Sequence, residues 1–243
     1  MSRWADQEPI AQAAYDALAE RYAAQTDDKP HNAHYERPAT LALLPDVAGL
    51  RVLDAGCGPG FYTAWLAEHG ATVLAVDANP KMVAFARQRV GSAAVVQRAD
   101  LSKPLDFVGG AAIDLVLAPL VLDYIGDLKP LFAEFNRCLR PAGWFVFSMG
   151  HPFADFRFSK SGSYFDTELT SAEWRGFGGE PVTMPFYRRP LGAIFAALSE
   201  TGFVVEQLVE PRPTPAFRQR DPKDYEKLNR QPGFICVRAR KVC

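Results

Sequence analysis

The chain has 243 residues, 48% of them hydrophobic and 23% charged. That composition excludes a largely disordered polymer and supplies enough apolar material for a core without disulfide or metal staples. Lys and Arg number 27 against 28 Asp and Glu, a formal net charge of -1, which excludes electrostatic capture of nucleic acid by the molecule as a whole. The four cysteines, Cys57, Cys138, Cys236 and Cys243, form no CxxC pair. This argues against zinc or a disulfide framework and for reduced thiols in a cytoplasmic protein. The opening MSRWADQEPIAQ has no apolar signal core, and the longest apolar run, 115–122, is too short for a bilayer and carries Pro119. No membrane association is expected.

Ile10, Ala14, Leu18 and Tyr22 fall four apart and predict a helix over 8–25. A polar loop over 26–35 and a short helix over 36–44 follow. The rhythm then changes to short apolar, mostly β-branched runs alternating with helical patterns. Strands are expected at 51–55, 72–76, 94–97, 113–117 and 143–149, with helices at 59–69, 80–89 and 128–139. That alternation means βαβ units and a parallel sheet covered by helices on both faces. Residues 151–190 are rich in Phe, Tyr, Trp, Gly and Pro without a period. They read as an irregular insertion that serves as a lid or binding element. A helix at 191–200, a strand at 203–209, a proline-broken charged loop and a strand at 233–240 complete the chain. The last two strands read as an antiparallel pair. Residues 211–243 hold nine Lys and Arg against three acids. No aromatic stacking series accompanies them, so they read as a solvated face and not as a nucleic-acid site.

The strongest signal is VLDAGCGPG at 52–60: a buried strand, a loop with three glycines, then a helix. Glycine permits positive φ and lets backbone approach a ligand closely. The loop sits at the carboxyl end of the first strand, where open α/β sheets bind ligands. A dinucleotide fingerprint GxGxxG would put its third glycine at position 61, which is Phe61, and no GxxxxGK[ST] phosphate loop is present. Asp77 closes the second strand, 17 residues after Gly60. An acid there can accept hydrogen bonds from both ribose hydroxyls. Asp100 follows the third strand, where a carboxylate can meet an exocyclic adenine amine. Taken singly, each acid reads equally as a cap or turn residue.

The segments VLDAGCGPG, AVDAN, RADL, DLVLAPLVLDYI and LRPAGWFVFS together resemble the class I S-adenosylmethionine-dependent methyltransferases over about residues 36–150. The resemblance implies an α/β, Rossmann-like three-layer sandwich with a seven-stranded, mostly parallel sheet and an antiparallel last strand. It implies S-adenosyl-L-methionine as cofactor and S-adenosyl-L-homocysteine as product. Asp54, Ala55, Gly56, Cys57, Gly58 and Gly60 would lie along the methionine part and Asp77 at the ribose. Ala78 and Met82 would flank the adenine, with Asp100 and Leu101 on its other side. Pro119 and Leu120 would border the methyl group. Small-molecule members often begin with a Y-D-x-x-A-x-x-Y helix that folds over the cofactor, matched here at 15–22 and ending on Tyr22. Arg37, in HYERPA, is a candidate partner for the methionine carboxylate. It reads equally as an exposed arginine at a helix start.

Methyl transfer from a sulfonium is an in-line displacement, so the protein must align the reactants and exclude water. A base is needed only where the acceptor must lose a proton. His151 directly follows the fifth strand and is the candidate base, with a turn histidine as the alternative. Tyr124, Phe153, Tyr164, Trp174, Tyr187 and Arg188 are candidates for acceptor binding; the insertion aromatics read alternatively as packing or a dimer surface, and Arg188 as an arginine with a solvated head. The expected organisation is a single domain over 1–243, with a helical lid over about 1–45 and the insertion at 151–190. The expected function is methylation of a small-molecule acceptor, without metal and without nucleic acid as partner. A methyltransferase for RNA or protein, an NAD-dependent oxidoreductase and a noncatalytic cofactor-binding protein stand as alternatives. The sequence assigns no oligomeric state.

Overall fold

The computed structural model describes residues 8–242; residues 1–7, the start of the expected lid, and Cys243 lie outside them. Helix α1 (Gln12–Gln25) leads through a π-helical turn (Asn32–Glu36) into α2 (Arg37–Ala42). Then come β1 (Arg51–Ala55), α3 (Phe61–Glu68), β2 (Thr72–Asp77), α4 (Pro80–Val90), β3 (Val95–Arg98) and β4 (Ile113–Pro119). A 3-10 turn (Leu122–Tyr124), α5 (Leu128–Cys138), β5 (Leu139–Gly150), α6 (Pro152–Asp155) and a second 3-10 turn (Phe156–Phe158) follow. The chain continues through β6 (Glu168–Trp174), β7 (Val182–Arg188), α7 (Leu191–Glu200), β8 (Phe203–Val209), α8 (Pro215–Arg220), α9 (Pro222–Leu228) and β9 (Phe234–Lys241).

Seven strands form one sheet in the order β3-β2-β1-β4-β5-β9-β8. The first five are parallel, and β9 runs antiparallel to both β5 and β8. This is the expected Rossmann-like sheet. Its central strands are apolar along their length because both faces are covered: β4 (IDLVLAP) is buried from Ile113 to Ala118. Alternate residues divide between the faces. Leu53 and Val116 join Phe132, Phe135, Phe145 and Phe147 beneath α5 and α7. Val52 and Leu115 join Leu66, Val83 and Ala86 beneath α3 and α4. The strand order reverses at β1, which pairs with β2 on one side and β4 on the other. The crevice for a ligand opens at their carboxyl ends. There the Gly56 and Cys57 N–H groups donate to Val76 O at 2.8 and 2.9 Å.

Two expectations are corrected. Residues 151–190 are not irregular: β6 and β7 form an antiparallel hairpin in register from Glu168↔Arg188 to Trp174↔Val182. The alternation of β7, with Met184, Phe186 and Arg188 buried, is masked in the sequence by Pro185 and by polar β6. The charged stretch after β8 is not a loop but α8 and α9. Each begins on a proline, Pro215 and Pro222, suited to a first helical turn where its missing N–H is not needed. Among the described residues, no helix is long and apolar enough to cross a membrane.

Candidate active site

The glycine loop is built by positions that reject side chains. Gly56, Gly58 and Gly60 have φ of 79°, 52° and 86°, in the left-handed region. A Cβ on Gly56 would collide with the Val121 side chain, and one on Gly60 would lie 3.0 Å from Ala86 Cα, where α3 and α4 meet. Gly58 has open space on that side instead. Its N–H donates to Asp77 Oδ2 at 2.9 Å, and the Asn79 N–H donates to Asp77 Oδ1 at 2.9 Å. Burial pushes the Asp77 carboxyl up, and these N–H donors oppose that shift. Asp54 lies fully buried under the loop, its Oδ2 accepting from the Thr63 hydroxyl at 2.6 Å and its Oδ1 without a partner. Asn79 caps α4 by accepting from the Lys81 and Met82 N–H groups. It also donates to Asp16 Oδ1 at 2.7 Å, which fixes α1 over the crevice.

Beneath α1 lies a cavity of about 350 Å³. Tyr22, Gly56, Gly58, Asp77, Ala78, Met82, Asp100, Leu101, Pro119 and Leu120 line it, all expected at the cofactor. Ala55, Cys57 and Gly60 lie behind the lining with Asp54 and shape the loop. Burial pushes the Cys57 thiol well up, which keeps it protonated. Arg37 does not reach the cavity. Its guanidinium donates to Asp27 O at 2.9 Å and Thr26 O at 3.2 Å, and lies 3.4 Å over the Phe61 ring. It closes the turn after α1 and is buried, which corrects the alternative of an exposed arginine, and it lines neither cavity. At the opposite wall, Asp100 Oδ1 accepts from the Ser102 N–H and hydroxyl, while Oδ2 is buried with no hydrogen-bond partner. A carboxylate oxygen with no hydrogen bond, only an ion pair to Lys103 at 3.9 Å, and a glycine cradle suit a ligand that brings donor groups and needs close backbone approach.

A second cavity, of about 740 Å³, shares Tyr15, Tyr22, Leu120 and Tyr124 with the first. Tyr15 is a site residue not singled out from the sequence, although it opens the Y-D-x-x-A-x-x-Y pattern at 15–22. Its hydroxyl lies 3.0 Å from that of Tyr124, and burial pushes both phenols up, so both stay neutral. Leu120 sits between the cavities with φ 52°, an uncommon conformation for a side-chain-bearing residue. Of the acceptor-side candidates, Tyr124 lines both cavities, Phe153 and Trp174 line the second, and Tyr187 lines the first. Three other candidates line neither. Tyr164 accepts from the Leu191 N–H at 3.0 Å, and Arg188 donates from Nε to Glu168 Oε2 at 2.6 Å, tying the hairpin base. His151 is 7% exposed, its Nδ1 accepting from the Phe153 N–H and its Nε2 lying 2.8 Å from Glu210 Oε1. Both ring nitrogens are engaged, one capping α6 and one meeting Glu210 just after β8, and the side chain lines neither cavity, although Gly150 and Phe153 beside it line the second; this arrangement does not favour the reading of His151 as a base.

Residues 53–147 match a family model described as a methyltransferase domain. A solved S-adenosylmethionine-dependent methyltransferase from Mesorhizobium loti is 32% identical; the match covers 85% of this chain and 97% of that one, with a TM-score of 0.68. The DhpI–SAH complex shares the fold at 18% identity, over 96% of each chain with a TM-score of 0.64. A malonyl-acyl-carrier-protein O-methyltransferase from Enterobacter lignolyticus is 33% identical over 145 residues, 59% of this chain and 54% of that protein. The chain thus spans about half the length of the curated relatives it matches. With the sheet order, the glycine cradle and a near full-length relative in agreement, the chain belongs to the S-adenosylmethionine-dependent methyltransferases.

Proposed function

We propose that the chain binds S-adenosylmethionine in the 350 Å³ cavity and methylates a small-molecule acceptor held in the 740 Å³ cavity. The observation that carries this reading is the junction. Two cavities of suitable size meet at Tyr15, Tyr22, Leu120 and Tyr124, beside the glycine loop. When bound, the cofactor supplies a methyl group on a cationic sulfur, ready for in-line displacement. Gly56 and Gly58 let the backbone close on its amino-acid part. Asp77 keeps lone pairs free for ribose hydroxyls beyond the two N–H groups it already accepts. Asp100 Oδ2 is available to an exocyclic amine, and Met82, Ala78 and Leu101 offer apolar faces to a base. Tyr15 and Tyr22 on α1 roof the junction and exclude water.

The relatives named as malonyl-acyl-carrier-protein O-methyltransferases suggest a carboxylate acceptor. Such an acceptor calls for a free cation near the methyl group. Asp123 and Asp155 stand beside Gly150, while Arg188 is bound to Glu168 and Arg189 donates to Ile125 O; the cations that do line this cavity are Arg157, Lys29 and Lys227. A neutral or cationic acceptor fits better. The test is S-adenosylhomocysteine release from a fractionated metabolite pool, with Ala172→Trp to fill the second cavity. The expected result is acceptor-dependent turnover that Ala172→Trp abolishes while cofactor affinity is kept. Turnover with RNA or protein alone, or none with any acceptor, would contradict the reading.

A further inference from the structure

The second cavity has an acidic end that plays no part in holding the cofactor. Asp123 and Asp155 both line it, and both flank Gly150. Asp123 Oδ2 accepts from the Gly150 N–H at 2.9 Å, and the missing side chain of Gly150 makes room for Asp155, whose Oδ2 a Cβ there would strike. Asp123 Oδ1 is shut from solvent and has no hydrogen-bond partner. Burial pushes both carboxyls up, and the neighbouring Asp123 charge raises Asp155 further. Arg189 opposes the shift at Asp123, and Arg157 and Arg188 oppose it at Asp155. Two close carboxyls in such a place share a proton and keep one negative charge. Aromatic faces from Phe153, Phe156 and Trp174 complete this cavity. Arg157 lines the cavity close to Asp155, and the far side carries Lys29, His31 and Lys227 together with Glu173 and Asp224, the last paired with His31 at 3.3 Å.

We propose that Asp123 and Asp155 form a paired-carboxyl site that binds a protonated amine on an aromatic or alkyl body and takes its proton for methyl transfer. The inference rests on the cofactor reading above and names the acceptor class for it. An ammonium is attracted by the paired carboxyls and by the aromatic faces, but it has no lone pair with which to attack. A carboxylate oxygen accepts one N–H proton and becomes a carboxylic acid. The freed nitrogen lone pair forms the new bond to the methyl carbon, and the pair of the broken carbon–sulfur bond stays on sulfur. Positive charge thereby passes from sulfur to the methylated nitrogen, and the carboxyl returns its proton to water once product leaves.

The test titrates phenethylamine, 2-phenylethanol and 3-phenylpropionate into protein saturated with S-adenosylhomocysteine, by calorimetry at about pH 7 in buffers of different ionisation enthalpy. Phenethylamine is expected to bind at least about tenfold tighter than the alcohol, the ratio a charged hydrogen bond supports. Its binding should release protons, since the ammonium favours ionised carboxyls. Asp155→Asn and Asp123→Asn should remove both the preference and the release. Each substitution keeps the side-chain shape, and the amide oxygen that Asp123→Asn introduces still accepts from the Gly150 N–H. Equal binding of the alcohol, binding without proton release, no amine binding, or amide variants that behave as the parent would each overturn the proposal. S-adenosylhomocysteine affinity, measured first, separates the two readings: its absence overturns both, whereas its presence without amine selectivity overturns only this one.

Discussion

Asp54 is the clearest case of a residue whose place in the fold opposes its ionised form. It is fully buried, and burial pushes its carboxyl up to about 7, with the Thr63 hydrogen bond only partly opposing the shift. A folded pKa above the unfolded one means that the native state holds the proton more tightly. Stability from this group is therefore greatest below the unfolded pKa and falls as pH rises from about 4 to about 7. The full effect is of order 4 kcal/mol at most, at about 1.4 kcal/mol per pKa unit. Asp54→Asn is expected to flatten the dependence of unfolding free energy on pH across that window; an unchanged slope in denaturant titrations would show that Asp54 is ionised throughout. The residues at the cavity differ in how legible they were. Asp77 and Asp100 could be read because strand ends fix where their side chains arrive. Arg37 and His151 could not, because their roles depend on partners far along the chain or across a loop: Arg37 answers to carbonyls at 26 and 27, and His151 to Glu210. Tyr15 was hidden for the opposite reason, since a helix-face aromatic has the same spacing whether it packs or lines a cavity.

At the scale of elements, α1 and the β6–β7 hairpin pack against each other. Ala14 and Leu18 of α1 pack with Phe177 and Met184 in a small apolar cluster apart from the sheet. Tyr22 stacks on Trp174 with ring centroids 6.5 Å apart. Helix α1 has no side-chain cap, no acid in its first turn and no base in its last. It is held instead by this cluster and by Asn79 and Lys81, which reach Asp16 and Glu20. Truncating Leu18, which is 1% exposed, should remove about 2–5 kcal/mol from that local packing. Leu18→Ala is expected to speed amide exchange in α1 and weaken cofactor binding while β1 and β4 keep their protection. Equal loss of protection in α1 and the sheet would mean that the lid and sheet unfold as one unit. The helix face of α1 was legible from its four-residue spacing. Its seat was not, because Pro185 and the polar alternation of β6 conceal the hairpin that receives it.

At the scale of the molecule, the parallel sheet follows from continuous apolar runs that demand cover on both faces, and this was plain in β1, β2 and β4. The C-terminal charge was harder to interpret. Arg238 and Arg240 pair with Glu206, and Lys241 donates to the Asn136 and Leu139 carbonyls. Three of the cations counted there are thus engaged within the fold and do not add to a surface patch. Binding of a single-stranded RNA at about 0.15 M salt is expected to be no tighter than the weak nonspecific range, about 10⁻⁴ to 10⁻⁶ M; submicromolar affinity with a steep salt slope would restore a nucleic-acid acceptor. The central claim, a cofactor site between α1 and the glycine loop, is tested most directly by calorimetric titration of S-adenosylmethionine and, separately, NAD into the protein and its Asp77→Ala variant. The account predicts one-to-one binding of S-adenosylmethionine, weakened about 10- to 100-fold in the variant by loss of charged hydrogen bonds, and no heat with NAD. Binding of NAD in its place, or S-adenosylmethionine affinity indifferent to Asp77, would contradict it.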